Sequence, residues 1–126
     1  MLVSDVIKEV RKIVAERPNV YYYAPEGGCQ YSKGECSDGS TGCLFGQVLT
    51  NLGEDVSRFD KYPAPEEYKT ETYIPGIDKI LEEFEGNDID KTWCSLVQDG
   101  QDNGMSWEDA VAEADFEIDL YTFIDD

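Results

Sequence analysis

The side chains whose type and spacing first suggest chemistry are four thiols: Cys29, Cys36, Cys43 and Cys94. Structural zinc sites usually use cysteine pairs two to four residues apart, whereas six, six and then fifty residues separate these. Thiolates from a hairpin, a helix start and a distant helix could still converge on zinc or another soft metal. A disulfide that joins Cys29 to Cys43 or to Cys36 is a second hypothesis. Reduced, partly buried thiols are the favoured interpretation, because they are the ordinary state in a reducing cytoplasm.

The absence of histidine removes most of the common catalytic and metal-binding chemistry. A histidine-dependent triad, a His-ligated zinc site and a non-heme iron triad are all excluded. Cys43 lies at a predicted helix start, where the dipole lowers a thiol pKa, but no histidine can activate it and the surrounding charge is acidic. Residues 99–104 resemble the start of a calcium loop, yet the position of its bidentate acid is occupied by Ala110. The sequence therefore predicts a non-enzymatic protein with no catalytic residue, no favoured metal and no cofactor.

Acidic residues outnumber basic ones by 28 to 10, and the net charge is −18. Residues 82–126 hold fifteen of these acids and a single base, Lys91. Nucleic-acid affinity depends on Lys and Arg that displace counterions, and anionic membranes repel the same negative charge. Direct binding to nucleic acid or to a membrane surface is therefore disfavoured. A protein partner with a basic surface is electrostatically favoured.

The elements that position these residues fit one domain, which we expect to span residues 1–126. Apolar residues recur at helical spacing in five stretches, separated by short segments typical of strands. We therefore predict an α+β fold, mainly α, with four to five helices packed on a small antiparallel sheet or hairpin. Helices are predicted over 3–14, 44–52, 75–85, 92–102 and 106–115, a strand over 20–23, a hairpin over 29–37 and a long loop over 54–73.

Residues 116–126 are predicted to form an acidic C-terminal strand or tail. Apolar and acidic residues alternate from Phe116 to Leu120, and a period of two is typical of a strand. Such a strand would pair with residues 20–23 and close a small sheet. Extension of the preceding helix to residue 124 is the alternative.

Two further residue patterns predict local packing. In the strand over 20–23, Tyr21 and Tyr23 share one face and are expected in the core, with Tyr22 turned outward. Gly46 lies inside a predicted helix, where glycine costs about 1 kcal/mol relative to alanine. We expect another element to pack closely over Gly46.

A candidate partner-binding surface combines two aromatic anchors with nearby acids. Interfaces usually draw their energy from a few aromatic or apolar anchors, while charge sets the rate of encounter. The candidate residues are Trp93, Trp107, Glu108, Asp109 and Glu113. The alternative is that both tryptophans belong to the core and that the acids serve solubility.

Three fragments also carry a resemblance to known proteins: GGCQY at 27–31, GCLFGQVL at 42–49 and GMSWEDAV at 104–111. In order and spacing they resemble small accessory proteins of actinobacterial phages, of the mycobacteriophage type. The resemblance implies a phage accessory protein that acts in the host bacterial cytoplasm, and we expect it to bind and modulate a host protein. An acidic mimic of nucleic-acid charge and a small cysteine-based metal-binding module are the alternatives.

Overall fold

A computed structural model describes residues 1–23, 30–61 and 76–125 of the chain. This part contains five α-helices and one two-stranded antiparallel sheet, which confirms the predicted α+β, mainly α fold. In chain order the elements are α1 (Val3–Glu16), β1 (Tyr22–Tyr23), β2 (Glu35–Cys36), α2 (Leu44–Asn51), α3 (Ile77–Ile80), α4 (Asp88–Asp102) and α5 (Trp107–Asp125). The loop predicted over 54–73 begins with a 3₁₀ helix, Val56–Lys61, and its remainder lies outside the described residues.

One cluster of buried apolar side chains joins the five helices. Helix α1 contributes residues three or four positions apart, as its predicted amphipathic pattern requires: Val3, Val6, Val10, Ile13 and Val14. No side chain caps α1, but the backbone N–H of Val3 donates to the carbonyl of Glu85 at 2.8 Å. The first turn of α1 is therefore tied to the segment that precedes α4.

The small sheet pairs two segments that we predicted as a separate strand, over 20–23, and a separate hairpin, over 29–37. Cys36 lies opposite Tyr22 in the ladder, so the predicted self-contained hairpin over 29–37 is wrong. The predicted facing of the tyrosines is also wrong, because Tyr22 is buried and Tyr21 and Tyr23 are exposed. The Tyr22 hydroxyl accepts from the backbone N–H of Gln30 at 3.0 Å, so a buried phenol is satisfied by loop backbone.

Helix α2 confirms the predicted helix over 44–52 to within one residue, and its packing explains Gly46. A Cβ at position 46 would overlap the backbone oxygen of Tyr31 and lie 2.6 Å from its carbonyl carbon. The close approach expected over Gly46 is therefore present. Gly53 ends the helix with a φ of +94°, and the N–H groups of Gly53 and Glu54 donate back to helix carbonyls, as in a Schellman motif.

Helices α4 and α5 form a helical hairpin. Helix α4 begins four residues before the predicted start, because the Asn87 side chain accepts from the N–H of Asp90 at 2.7 Å and caps it. Ser106 caps α5 as expected, with its hydroxyl accepting from the N–H of Asp109 at 3.2 Å. Helix α5 continues to Asp125, so the predicted C-terminal strand is wrong and the helical alternative is right. No glycine or proline follows Ser106 to end the helix.

Two buried glutamines of α4 cap two other helices. The Gln98 Oε1 accepts from the N–H of Ile77 at 2.7 Å, at the start of α3. The Gln101 Oε1 accepts from the N–H of Leu44, also at 2.7 Å, at the start of α2. Neither α2 nor α3 has a side-chain cap of its own, so α4 satisfies donors that both helices would otherwise leave unpaired.

Helix α3 covers only part of the helix predicted over 75–85. Four residues are α-helical, Leu81–Glu83 continue as a 3₁₀ turn, and Phe84 is extended. In the described residues, none of the helices is both long and apolar enough to cross a bilayer.

Candidate functional site

Trp93, one of the two predicted anchors, belongs to the core. Its ring is 4% exposed, and the Arg11 guanidinium lies 4.8 Å from the ring centroid. Its indole N–H donates to Asp115 at 2.8 Å, and Arg11 donates to both oxygens of the same carboxylate at 2.8 and 3.1 Å. These contacts lower the pKa of Asp115, chiefly through the Arg11 hydrogen bond. The group joins α1, α4 and α5 and leaves no aromatic surface for a partner.

Trp107, the second predicted anchor, is fully buried. Its indole N–H donates to the Oε1 of Gln101 at 3.2 Å, and the Arg17 guanidinium lies 5.0 Å from its ring. An arginine thus covers each tryptophan, and a buried or half-buried acceptor satisfies each indole. The interpretation of both tryptophans as core residues is the one the structure supports, so an interface needs other anchors.

The predicted acids occupy the solvent side of α5. Glu108, Asp109 and Glu113 are exposed, and within the described part of the chain none of them forms an ion pair. Their carboxylates therefore remain available to cations from outside the molecule. Asp115 on the same helix is committed to Arg11.

Two apolar side chains missed by the sequence analysis lie among these acids. Phe116 is 59% exposed and Leu120 is 42% exposed. They stand four residues apart, one above the other on the helix surface, and Ala112 is the exposed residue one turn before Phe116. Residues on the opposite side of α5 face the core: Trp107, Ala110, Val111 and Ala114. The sequence did not locate this pair, because residues 116–120 fit a period of two as well as a helix.

The charged residues of this surface are all acidic. We name it the α5 outer face and define it by the residues Glu108, Asp109, Ala112, Glu113, Phe116 and Leu120. Helix α5 contains seven acids and no base. A helix with that charge distribution creates a negative potential that attracts cationic groups and repels anionic ones.

The cysteines described by the structure do not form a reactive or metal-binding site. Cys36, Cys43 and Cys94 are buried free thiols, as the favoured interpretation expects, so the alternative of a Cys29–Cys43 or Cys29–Cys36 disulfide is wrong; Cys29 itself lies outside the described residues. Burial raises the pKa of Cys94 to about 12 and also raises that of Cys36. Thiolates are the nucleophilic and metal-binding form, so burial opposes both roles. Among the described residues, no cluster of three or more His, Cys, Asp or Glu could hold a metal ion.

A cavity of about 300 Å³ lies beside α2, and its lining includes Ser40, Gln47 and Thr50. Its lining groups are largely engaged with the protein. Gln47 donates to Ser40 at 3.0 Å and to the carbonyl of Gly42 at 3.1 Å, and the Thr50 hydroxyl donates to the carbonyl of Gly46 at 2.7 Å. The cavity therefore offers few polar groups to a ligand.

Comparisons of the chain with protein-family models, with curated proteins and with solved structures found no significant match.

Proposed function

We propose that this chain is a non-enzymatic accessory protein that binds a protein partner with a basic surface through the α5 outer face. In line with the phage resemblance, the partner is a host protein whose action the binding modulates. The observation that supports this proposal is that Phe116 and Leu120 are exposed on successive turns of α5, beside Glu108, Asp109 and Glu113, which form no ion pair within the described residues.

The chemistry of the α5 outer face selects the class of partner. Exposed apolar side chains supply binding energy when a partner covers them, and the surrounding acids accelerate encounter with a cationic surface. A second copy of the chain is a poor occupant, because two such faces would bring like charges together. Nucleic acids and anionic membranes are repelled for the same reason.

A pull-down from an actinobacterial host lysate tests the proposal. The wild-type protein and three variants are used as bait: the double variant Phe116→Ala/Leu120→Ala, the charge reversal Glu108→Lys/Asp109→Lys/Glu113→Lys, and Ile89→Ala as control. Ile89 is exposed on α4 and is not one of the residues of the α5 outer face, so its removal tests for nonspecific apolar capture.

We expect wild type and Ile89→Ala to enrich the same host protein. The other two variants should recover at least about tenfold less of that protein. Circular dichroism verifies that each variant is folded. Equal recovery by all four folded baits would contradict the proposal and place any binding site elsewhere.

A mimic of nucleic-acid charge is the second candidate, and the run of seven acids without a base along α5 favours it. The two functions differ in their response to salt. A charge mimic loses its partner steeply as salt rises, whereas binding anchored by Phe116 and Leu120 retains most of its affinity. Partner recovery at about 0.1 and 0.5 M sodium chloride distinguishes them.

A further inference from the structure

We infer that the partner segment recognised by the α5 outer face is a basic amphipathic helix that lies along α5. This inference rests on the proposed function and specifies the partner's structure. It follows from how apolar and acidic side chains are ordered around the outer face.

The apolar side chains of the outer face form a continuous strip along the helix. Ala112, Phe116 and Leu120 are exposed and follow one another at four-residue intervals, so they span about 12 Å on successive turns. Ala112 is small and leaves room for close approach beside the larger Phe116. A strip of this spacing is the surface that packs against the ridges of another helix.

Acids lie on both sides of this strip. Helical geometry places Glu113 and Glu117 along one side, Asp115 and Asp119 along the other, and Glu108 at the end of the strip, one turn before Ala112. Within the described residues, Glu108, Glu113 and Glu117 form no ion pair, whereas Asp115 is paired with Arg11. The complementary partner therefore has a narrow apolar strip with Lys or Arg beside it, which is the pattern of a basic amphipathic helix.

A synthetic peptide pair provides the test. One peptide of about five helical turns has leucines at helical spacing and lysines elsewhere, and the second has the same composition with the spacing scrambled. Titration calorimetry measures the binding of each to four proteins: wild type, Phe116→Ala/Leu120→Ala, Ile89→Ala and the triple charge reversal.

We expect the amphipathic peptide to bind wild type and Ile89→Ala at least about tenfold more tightly than the scrambled peptide does. The Phe116→Ala/Leu120→Ala variant should lose that preference, and the bound peptide should gain helical circular dichroism. Charge reversal should weaken both peptides, because it removes the attraction that they share.

Equal affinity for both peptides would overturn the helical inference. If charge reversal still abolished that binding, the acidic face would remain a site for basic partners and the proposed function would stand. If neither peptide bound wild type, the helical inference would fail by itself, because the lysate experiment judges the proposed function independently.

Discussion

At the scale of single residues, Gln101 holds three parts of the molecule together through one amide. Its Oε1 accepts from the N–H of Leu44 and from the indole of Trp107, and its Nε2 donates to the Asp102 carboxylate at 3.1 Å. The residue is 1% exposed, so water cannot replace a lost bond. Buried amides of this kind tie their neighbours to a single arrangement.

We predict that Gln101→Leu lowers the free energy of unfolding by about 2–3 kcal/mol, because it leaves two buried N–H donors without an acceptor. Urea denaturation followed by circular dichroism measures the change. Glu113→Leu, at an exposed position, is the control, and its free energy of unfolding should stay within about 0.5 kcal/mol of wild type. A Gln101→Leu protein as stable as that control would show that the amide contributes nothing to stability.

The second residue-scale prediction concerns Asp102 at the end of α4. Burial, with a contribution from the nearby charge of Asp99, raises the pKa of Asp102 to about 6 from its ordinary value of 3.8. The folded state therefore holds this proton more tightly than the unfolded chain does. The resulting stabilisation is complete below about pH 4 and is lost as the pH rises through about 6.

The Asp102→Asn variant has no ionisable group at position 102. Its free energy of unfolding should therefore exceed that of wild type at pH 7.5 and equal it at pH 4. Solvent at the exposed side of the carboxylate screens the penalty, and we expect a gain of about 1 kcal/mol at the higher pH. Glu113→Gln removes one negative charge at an exposed position and serves as the matched control. The same gain in both variants, or a gain for Asp102→Asn that persists at pH 4, would rule out titration of Asp102 as its cause.

At the scale of elements, the contact between α2 and the Tyr31 backbone determines how the loop before β2 is held. Gly46→Ala should destabilise the protein by at least about 2 kcal/mol, although alanine is the better helix former by about 1 kcal/mol. The new methyl group would meet backbone atoms, which cannot move aside as a flexible side chain can. Asn51→Ala, at an exposed position of the same helix, is the control and should change little. Thermal melting of both variants measures the difference, and a stabilised Gly46→Ala protein would show that the loop can yield.

The boundaries of a helix could be predicted where the spacing of apolar residues and the residues that end a helix, such as proline and glycine, agree. Helices α1 and α2 have both, with Pro18 and Gly53 beyond their ends. The start of α4 was missed because its first turn is polar and its apolar residue, Ile89, points outward. The cap that defines this start is a side-chain contact of Asn87, which spacing alone does not indicate.

The candidate site was only half predictable for a related reason. The acids could be identified by type, and Glu108, Asp109 and Glu113 do share the exposed side of α5. The anchors depend on secondary structure, because Phe116 and Leu120 fit a period of two as well as a helix. Tertiary contacts decide between these possibilities, since the helix places its core residues opposite this pair.

At the scale of the whole molecule, the net charge of −18 sets the response to solution conditions. Like charges repel within the folded chain, and salt screens that repulsion. We therefore predict that 0.3 M sodium chloride raises the melting temperature at pH 7 by several degrees, on the order of 1 kcal/mol for a domain of this size. Differential scanning calorimetry measures it.

The charge-reversal variant provides the comparison for this prediction. Each of its three reversals shifts the net charge by two, so together they remove a third of it. The variant should gain less from salt than wild type does. An equal gain would assign the salt effect to something other than self-repulsion, and a fall in melting temperature would contradict the prediction.

The capping of α2 by Gln101 also determines when this molecule can fold during synthesis. Helix α2 has eight residues, too few to be stable alone, and the acceptor for its first turn stands 57 positions later in the chain. Because a nascent chain leaves the ribosome from its N-terminus, α2 emerges long before α4 can complete it. The first turn of α2 therefore lacks this acceptor until residue 101 has emerged, and we expect α2 to be incompletely formed up to that point. Ribosome-bound chains that stop before residue 101 will be the forms most open to proteases and chaperones.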